Sequence, residues 1–371
     1  MSAPPLTEAQ VLDALRRIQD PDLHRDIVSL DFIKDLKVEG GNVAFTIELT
    51  TPACPVKALM ESQAKEFVGA LPGVKEVDVT MSARVTRGRA ATDKQSVSGV
   101  RNIIAVASGK GGVGKSTVAV NLALALAESG ARVGLMDSDI YGPSIPLMMN
   151  VSGSPTASAG NRMAPMENYG VKLMSIGFMT RDDDSPVIWR GPMVMQAVTQ
   201  FLYNVEWGEL DYLIVDMPPG TGDAVLTLVQ KVPLSGAVIV TTPQDIALID
   251  AKKGLMMFKK VETPILGIVE NMSSFVCPHC GERSEIFGSG GGMKMSEKYD
   301  VPLLGEIPLD AEIREWGDQG KPIVIAKPES PVAEAFRNFA SAVAARVSVI
   351  NIGTGTADRP ASESYIPLKV G

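Results

Sequence analysis

The chain has 371 residues, 45% of them hydrophobic and 21% charged, as expected of a globular protein with room for two domains. A formal net charge of −8 argues against an unspecific grip on nucleic acid or anionic membrane. Three cysteines are too few for a disulfide framework, and no apolar run reaches the roughly 20 residues needed to span a bilayer. The first ten residues lack the basic and then apolar pattern of a secretory leader, so reducing cytoplasm is the expected compartment.

Residues 7–19 read as an amphipathic helix, with Thr7 and Gln10 spaced as a capping box and Val11, Leu12, Leu15 and Ile18 on one face. Pro21 is expected to end it. Strands follow at 33–38 and 43–49, joined by the hairpin composition Gly40-Gly41-Asn42. Thr51-Pro52-Ala53-Cys54-Pro55 opens a second helix reaching about Ala70, Gly73 stops it, and 74–81 is a third strand. Residues 1–82 therefore form a small α+β domain. Residues 83–98 show no apolar periodicity and read as a linker, mobile rather than packed.

The larger domain spans 99–348. Its strands, at 103–107, 133–136, 212–215, 237–241 and 265–269, are short, apolar and β-branched, and helices such as 116–129 and 247–260 lie between them. This alternation predicts an α/β fold with a mostly parallel sheet covered by helices on both faces. Residues 349–371, rich in Gly, Thr, Ser and Pro, are expected to form a flexible tail.

Gly109-Lys110-Gly111-Gly112-Val113-Gly114-Lys115-Ser116-Thr117 follows an apolar strand and opens a helix, the context of a phosphate-binding loop for ATP. Glycines let backbone N–H groups converge on phosphates, and the helix start adds partial positive charge. Lys115 is expected on the β- and γ-phosphates and the Ser116 hydroxyl on Mg²⁺. Asp137-Ser138-Asp139 and Asp216 end two further strands at the same edge of the sheet as this loop.

Lys110 stands directly after the first glycine, where it cannot easily fold back onto a nucleotide already held by Lys115. It resembles the signature lysine of the deviant Walker A class, the MinD, ParA and nitrogenase-reductase ATPases, which crosses a sandwich dimer to the partner's phosphates. The resemblance implies catalytic roles for Lys110, Lys115 and Asp139, the last orienting the attacking water. It makes Asp137 a group near Mg²⁺ and Asp216 the Walker B carboxylate, which reaches Mg²⁺ through water. Asn271 would read adenine, with Pro308-Leu309-Asp310 packed near the base, and Pro218-Pro219-Gly220 would begin a switch loop.

Cys277-Pro278-His279-Cys280 is a lone CxxC. A zinc ribbon needs a second such pair, which does not follow, and the flanking residues do not suggest a thioredoxin-type pair. Two thiolates from each of two chains make four, which suits a 4Fe–4S cluster or a tetrahedral Zn²⁺, and sulfur ligation does not separate the two. His279, between the cysteines, is expected to point away.

The phosphate loop, Asp137-Ser138-Asp139-Ile140-Tyr141-Gly142-Pro143-Ser144, Trp189-Arg190-Gly191-Pro192-Met193, Asp216-Met217-Pro218-Pro219-Gly220-Thr221-Gly222-Asp223 and the CxxC occur in one order. Together they resemble the Mrp/ApbC family of iron–sulfur cluster carrier ATPases, over about residues 98–347. The resemblance implies a homodimer that holds a labile 4Fe–4S cluster on Cys277 and Cys280 of both chains. It would receive the cluster from scaffold or donor proteins and pass it to apo iron–sulfur proteins.

Asp20-Pro21-Asp22, Val28-Ser29-Leu30-Asp31-Phe32-Ile33 and Leu49-Thr50-Thr51-Pro52-Ala53-Cys54-Pro55 are similar to the small iron–sulfur assembly domain often fused ahead of such ATPases. Cys54 at a helix N-terminus would then have a lowered pKa and serve as a reactive thiol or transient ligand, unless it is a buried apolar cysteine. The competing reading is a MinD/ParA-like positioning ATPase with a structural zinc clasp. The acidic charge and the lack of a basic amphipathic helix in the tail speak against it. An electron-transfer reductase would place its ligand cysteines far apart. Nucleic acid and membrane are accordingly not expected as partners.

Overall fold

The computed structural model describes residues 6–88, 94–139, 142–158, 162–179 and 191–353. Ile140, Tyr141, Trp189, Arg190, the middle of the linker and the tail beyond Gly353 lie outside them.

The small unit runs α1 (Glu8–Leu15), β1 (Gln19–Asp20), β2 (Arg25–Asp26), β3 (Ile33–Glu39), β4 (Asn42–Leu49), α2 (Lys57–Gly69) and β5 (Glu76–Ala83). The capping box forms as expected: the Thr7 hydroxyl accepts from the Gln10 amide, and Gln10 returns to the Thr7 backbone. The helix is shorter than the expected 7–19, however, because Gln19 and Asp20 pair with Arg25 and Asp26 and so claim backbone that a helix would have used. Ile18 still reaches the core, from the turn after the helix. Gly40 and Gly41, at φ +59° and +96°, turn β3 into β4. Every second residue of β4 (Val43, Phe45, Ile47, Leu49) is buried against α1 and α2.

The larger unit contains β6 (Val100–Ser108), α3 (Lys115–Glu128), β7 (Val133–Asp137), α4 (Ile145–Met148), β8 (Met166–Asn168), β9 (Val171–Ser175) and α5 (Gly191–Tyr203). It continues through β10 (Leu210–Asp216), α6 (Asp223–Lys231), β11 (Gly236–Thr241), α7 (Asp245–Lys260), β12 (Ile265–Val276) and β13 (Arg283–Ser284). It closes with α8 (Gly291–Tyr299), β14 (Leu303–Leu309), α9 (Ala311–Asp318), α10 (Ile323–Ala326) and α11 (Pro331–Ile352). Among the described residues, nine strands form one sheet in the order β13-β12-β11-β6-β10-β7-β9-β8, with β14 also on β12. All pairings are parallel except those of β8 and β13.

Burial explains the apolar runs. Every residue of β7, β10 and β11 is buried, which requires helices on both faces of the sheet. Trp207 leads into β10, is 1% exposed, and donates its indole N–H to the Phe201 carbonyl at 2.8 Å. Trp207→Ala is expected to cost about 3–5 kcal/mol of stability. The urea midpoint of the variant measures this, and a cost below about 1 kcal/mol would show that its neighbours close the cavity.

Two expectations are corrected. The flanks of the 83–98 linker are packed rather than mobile: Val85 and Val97 are buried in the large core, and Lys94 donates to the Val229 and Val232 carbonyls. The tail does not begin at 349, because α11 continues to Ile352 and ends on left-handed Gly353. Val349 and Ile352 pack against the core of the small unit, so the last turn of this helix joins the two units. Further ties run from the Tyr212 hydroxyl to Thr51 Oγ1 (3.3 Å) and from Asn351 Nδ2 to the Thr86 carbonyl (3.0 Å).

Candidate functional site

The loop from Gly109 to Gly114 joins β6 to α3, whose first residues are Lys115 and Ser116. Two of its glycines are required sterically. Gly114 lies at φ +82°, and a Cβ there would stand 2.3 Å from Asn271 Nδ2. At Gly109 a Cβ would stand 2.0 Å from the backbone of Asp250 in α7, so that glycine lets the loop and helix touch. Gly111 and Gly112 are exposed, and Val113 is buried as the anchor of the loop.

Five expected polar groups converge at this point. The Lys115 ammonium donates to Asp216 Oδ1 at 2.6 Å and lies 3.9 Å from Asp139 Oδ2. The Ser116 hydroxyl donates to the other Asp216 oxygen at 2.6 Å. Asp137 is the register partner of Asp216 on the neighbouring strand and accepts from the Asp139 amide (3.0 Å) and the Ser175 hydroxyl (2.9 Å). Burial pushes both carboxyls above the usual carboxylate range, and the Asp216 charge helps carry Asp137 to about 8. At Asp216 the Lys115 ammonium and the Ser116 hydroxyl pull against that rise. Thr117 lies on the same first turn of α3.

Asn271 was expected at the end of a strand closing at 269. Instead β12 continues to Val276, and Asn271 sits within it, donating Nδ2 to the Val113 carbonyl at 2.9 Å. Continued pairing with β14 supports the extension. A cavity of about 200 Å³ opens beside the loop, lined by Gly114, Thr117, Asn271, Met272, Pro308 and Arg314 among others. The asparagine and the Pro308-Leu309-Asp310 segment thus share one pocket wall.

The Lys110 side chain is half-buried on the loop, while its carbonyl accepts from the Ser108 hydroxyl at 2.9 Å. Cys277 and Cys280 lie elsewhere, on the tip of a hairpin between β12 and β13. Cys277 follows Asn271 by six residues, just past the end of β12. The Gly281 amide donates to the Cys277 carbonyl and the Cys277 amide to the Glu282 carbonyl, which closes the turn. His279 and Cys280 are exposed and Cys277 is half-buried. Backbone amides of Cys280 and His279, together with the Cys280 thiol, lower the Cys277 pKa. Among the described residues no cluster of three or more His, Cys, Asp and Glu could hold a metal within one chain.

The lowered pKa expected for Cys54 is overturned. α2 begins only at Lys57, and burial, with the charges of Asp20 and Asp22, pushes the Cys54 thiol up to about 11. At pH 8 Cys54 is held largely as the thiol. Iodoacetamide is therefore expected to modify Cys277 and Cys280 well before Cys54, as timed by peptide mass spectrometry. Cys54 reacting first would contradict the burial assigned to it.

Sequence reasoning gave no role to Ser138, whose hydroxyl donates to the Asp216 carbonyl at 2.6 Å, or to Ser175. Ser138 lay within a quoted motif, whereas Ser175 stands on β9, a strand too short and mixed to signal itself. Glu270 was also missed. It is 1% exposed and accepts from the Gly292 amide at the start of α8, and its second oxygen has no partner among the described residues.

Residues 99–344 match the family model described as NUBPL iron-transfer P-loop NTPase, and residues 8–79 match that of an iron–sulfur cluster assembly protein. The iron–sulfur cluster carrier protein of Synechocystis is 52% identical over 349 residues, covering 93% of this chain and 99% of its own length. That of Escherichia coli K12 is 46% identical over 348 residues, covering 93% and 94%. A solved nucleotide-binding protein from Archaeoglobus fulgidus, in complex with ADP, is 40% identical with a TM-score of 0.57, covering 65% of this chain and 93% of its own. The Pyrococcus furiosus cell division ATPase MinD is 26% identical with a TM-score of 0.50, covering 65% and 98%. No helix among the described residues is long and apolar enough to cross a membrane. With matches over nearly its whole length, the chain belongs to the iron–sulfur cluster carrier family of ParA-type P-loop NTPases.

Proposed function

We propose that the protein binds and hydrolyses ATP and uses the nucleotide to control a dimer that carries a 4Fe–4S cluster to apoproteins in the cytoplasm. The observation that carries the nucleotide half is the convergence of Lys115, Ser116 and Asp216 within 3.3 Å at the start of α3. Glycine amides and the helix N-terminus receive the phosphates, and Lys115 leaves Asp216 for the β- and γ-phosphates. The Ser116 hydroxyl and Asp216 carboxylate are an oxygen pair suited to Mg²⁺, directly and through water respectively. Held by these oxygens, a Mg²⁺ ion would supply charge neutralisation to the phosphates. Asp139 orients the attacking water, Asp137 supports the ion's hydration shell, and Asn271 holds the adenine side. Lys110 acts on the nucleotide of the partner subunit, as in the ParA-type ATPases.

The cluster is cargo. One chain offers two close thiols on an exposed hairpin, and two copies supply the four thiolates of a cubane. Backbone amides around Cys277 lower its thiol pKa, which favours the thiolate form that ligates iron.

Anaerobic reconstitution of the full chain with iron and sulfide tests this. Uptake of about 4 Fe per dimer, followed by loss of that iron to an apo-ferredoxin-type acceptor, is the expected result. Uptake of Zn²⁺ alone, with no iron, would make the hairpin a structural clasp and favour the positioning ATPase.

A further inference from the structure

A second cavity, of about 390 Å³, lies between the two units at the end of the sheet opposite the phosphate loop. Pro52 and Lys57 of the small unit, Arg84 of the connection, and Arg101, Arg132 and Asp211 of the large unit are among its lining residues. Among the described residues, four cations face one carboxylate here, in a chain whose overall charge is −8. That acid is already engaged. Arg132 donates to Asp211 through Nε (3.2 Å) and NH2 (2.9 Å), and Arg101 lies 3.5 Å from it.

Lys57 and Arg84 are exposed and take part in no ion pair among the described residues. Lys57 is also the first residue of α2, whose N-cap Val56 offers no side-chain hydrogen bond, so the positive end of that helix adds to the field. Such a volume matches a small organic ligand, and domain junctions are where such pockets concentrate.

We infer that this cavity is a binding site for a small organic polyanion, a polycarboxylate or phosphate monoester, that clamps the small unit onto the ATPase unit. Guanidinium forks suit either group, so the shared chemistry is an oxyanion with at least two negative charges. Arg132 leads into β7 and Asp211 belongs to β10, and the far ends of these strands carry Asp137 and Asp216. Five residues of β10, about 17 Å, separate Asp211 from Asp216. The clamp is thus distinct from the nucleotide site and does not depend on the thiolate reading.

The test is isothermal titration of the full chain with tricarballylate and, separately, glycerol 2-phosphate. Saturating ADP and Mg²⁺ are present to occupy the phosphate loop. Saturable binding of either probe with Kd below about 1 mM is expected, weakened about tenfold or more in K57A/R84A. The probe that binds identifies the carboxylate or the phosphate arm. An unchanged thermal midpoint without probe shows that the variant is folded, and Arg84→Gln alone replaces it if that midpoint falls. Failure of both probes to saturate by about 10 mM, or binding that the variants leave unchanged, overturns the site.

Discussion

Replacing Cys277 and Cys280 together with alanine is expected to remove cluster uptake, taking iron from about 4 per dimer to background. ATP hydrolysis should stay within about twofold of the parent protein, because the hairpin lies some six strand residues beyond Asn271 and contributes nothing to the phosphate loop. The reason for so large an effect is arithmetic. Each chain has only one other thiol, Cys54, and burial holds its pKa at about 11 on a different unit. Removing either hairpin cysteine alone strips two of four ligands from a symmetric site and should also abolish stable uptake. Iron retained at the parent level by the double variant would place the cluster on Cys54 and sink the hairpin assignment.

Lys110→Ala should lower ATP hydrolysis about 10³-fold, the lower end of the effect of a cation supplied across an interface to a phosphoryl-transfer transition state. Nucleotide affinity should change only a few-fold, since Lys115 holds the γ-phosphate position of its own chain and lies 2.6 Å from Asp216. Phosphate release and titration with a fluorescent ATP analogue separate the two quantities. In the parent protein, hydrolysis per chain should rise with concentration as dimers form, and that rise should vanish in the variant. A comparable loss of binding would show instead that Lys110 serves its own nucleotide, and the cross-dimer role would be abandoned.

Much of this was legible from the sequence because the phosphate loop and the strand-end carboxylates are local chemistry. Gly109 to Thr117 announce a backbone that approaches phosphate, and a run such as β10, with every residue buried, cannot be mistaken for a half-exposed strand. The Thr7–Gln10 capping box and the Gly40-Gly41 turn follow from short-range rules in the same way. Strand pairing and burial are not local, and the misplaced features depend on them. Asn271 fell inside a longer β12 because β14 pairs with its far half. α1 stopped early, and Gln19, its expected last residue, pairs with Asp26 of β2 instead. Cys54 lost its expected acidity because it is buried, with the charges of Asp20 and Asp22 adding to the rise, and because α2 starts three residues later.

Composition and motifs alone determined the α/β architecture, the P-loop class and the carboxylates that gather beside the phosphate loop. Only the tertiary structure decided their protonation, since a carboxyl such as Asp137 reaches a pKa of about 8 through burial and a like charge brought in from another strand. It alone also decided how the units meet. The last turn of α11, hydrophobic but unremarked in a Gly-rich tail, finds its partner core some 300 residues earlier in the chain.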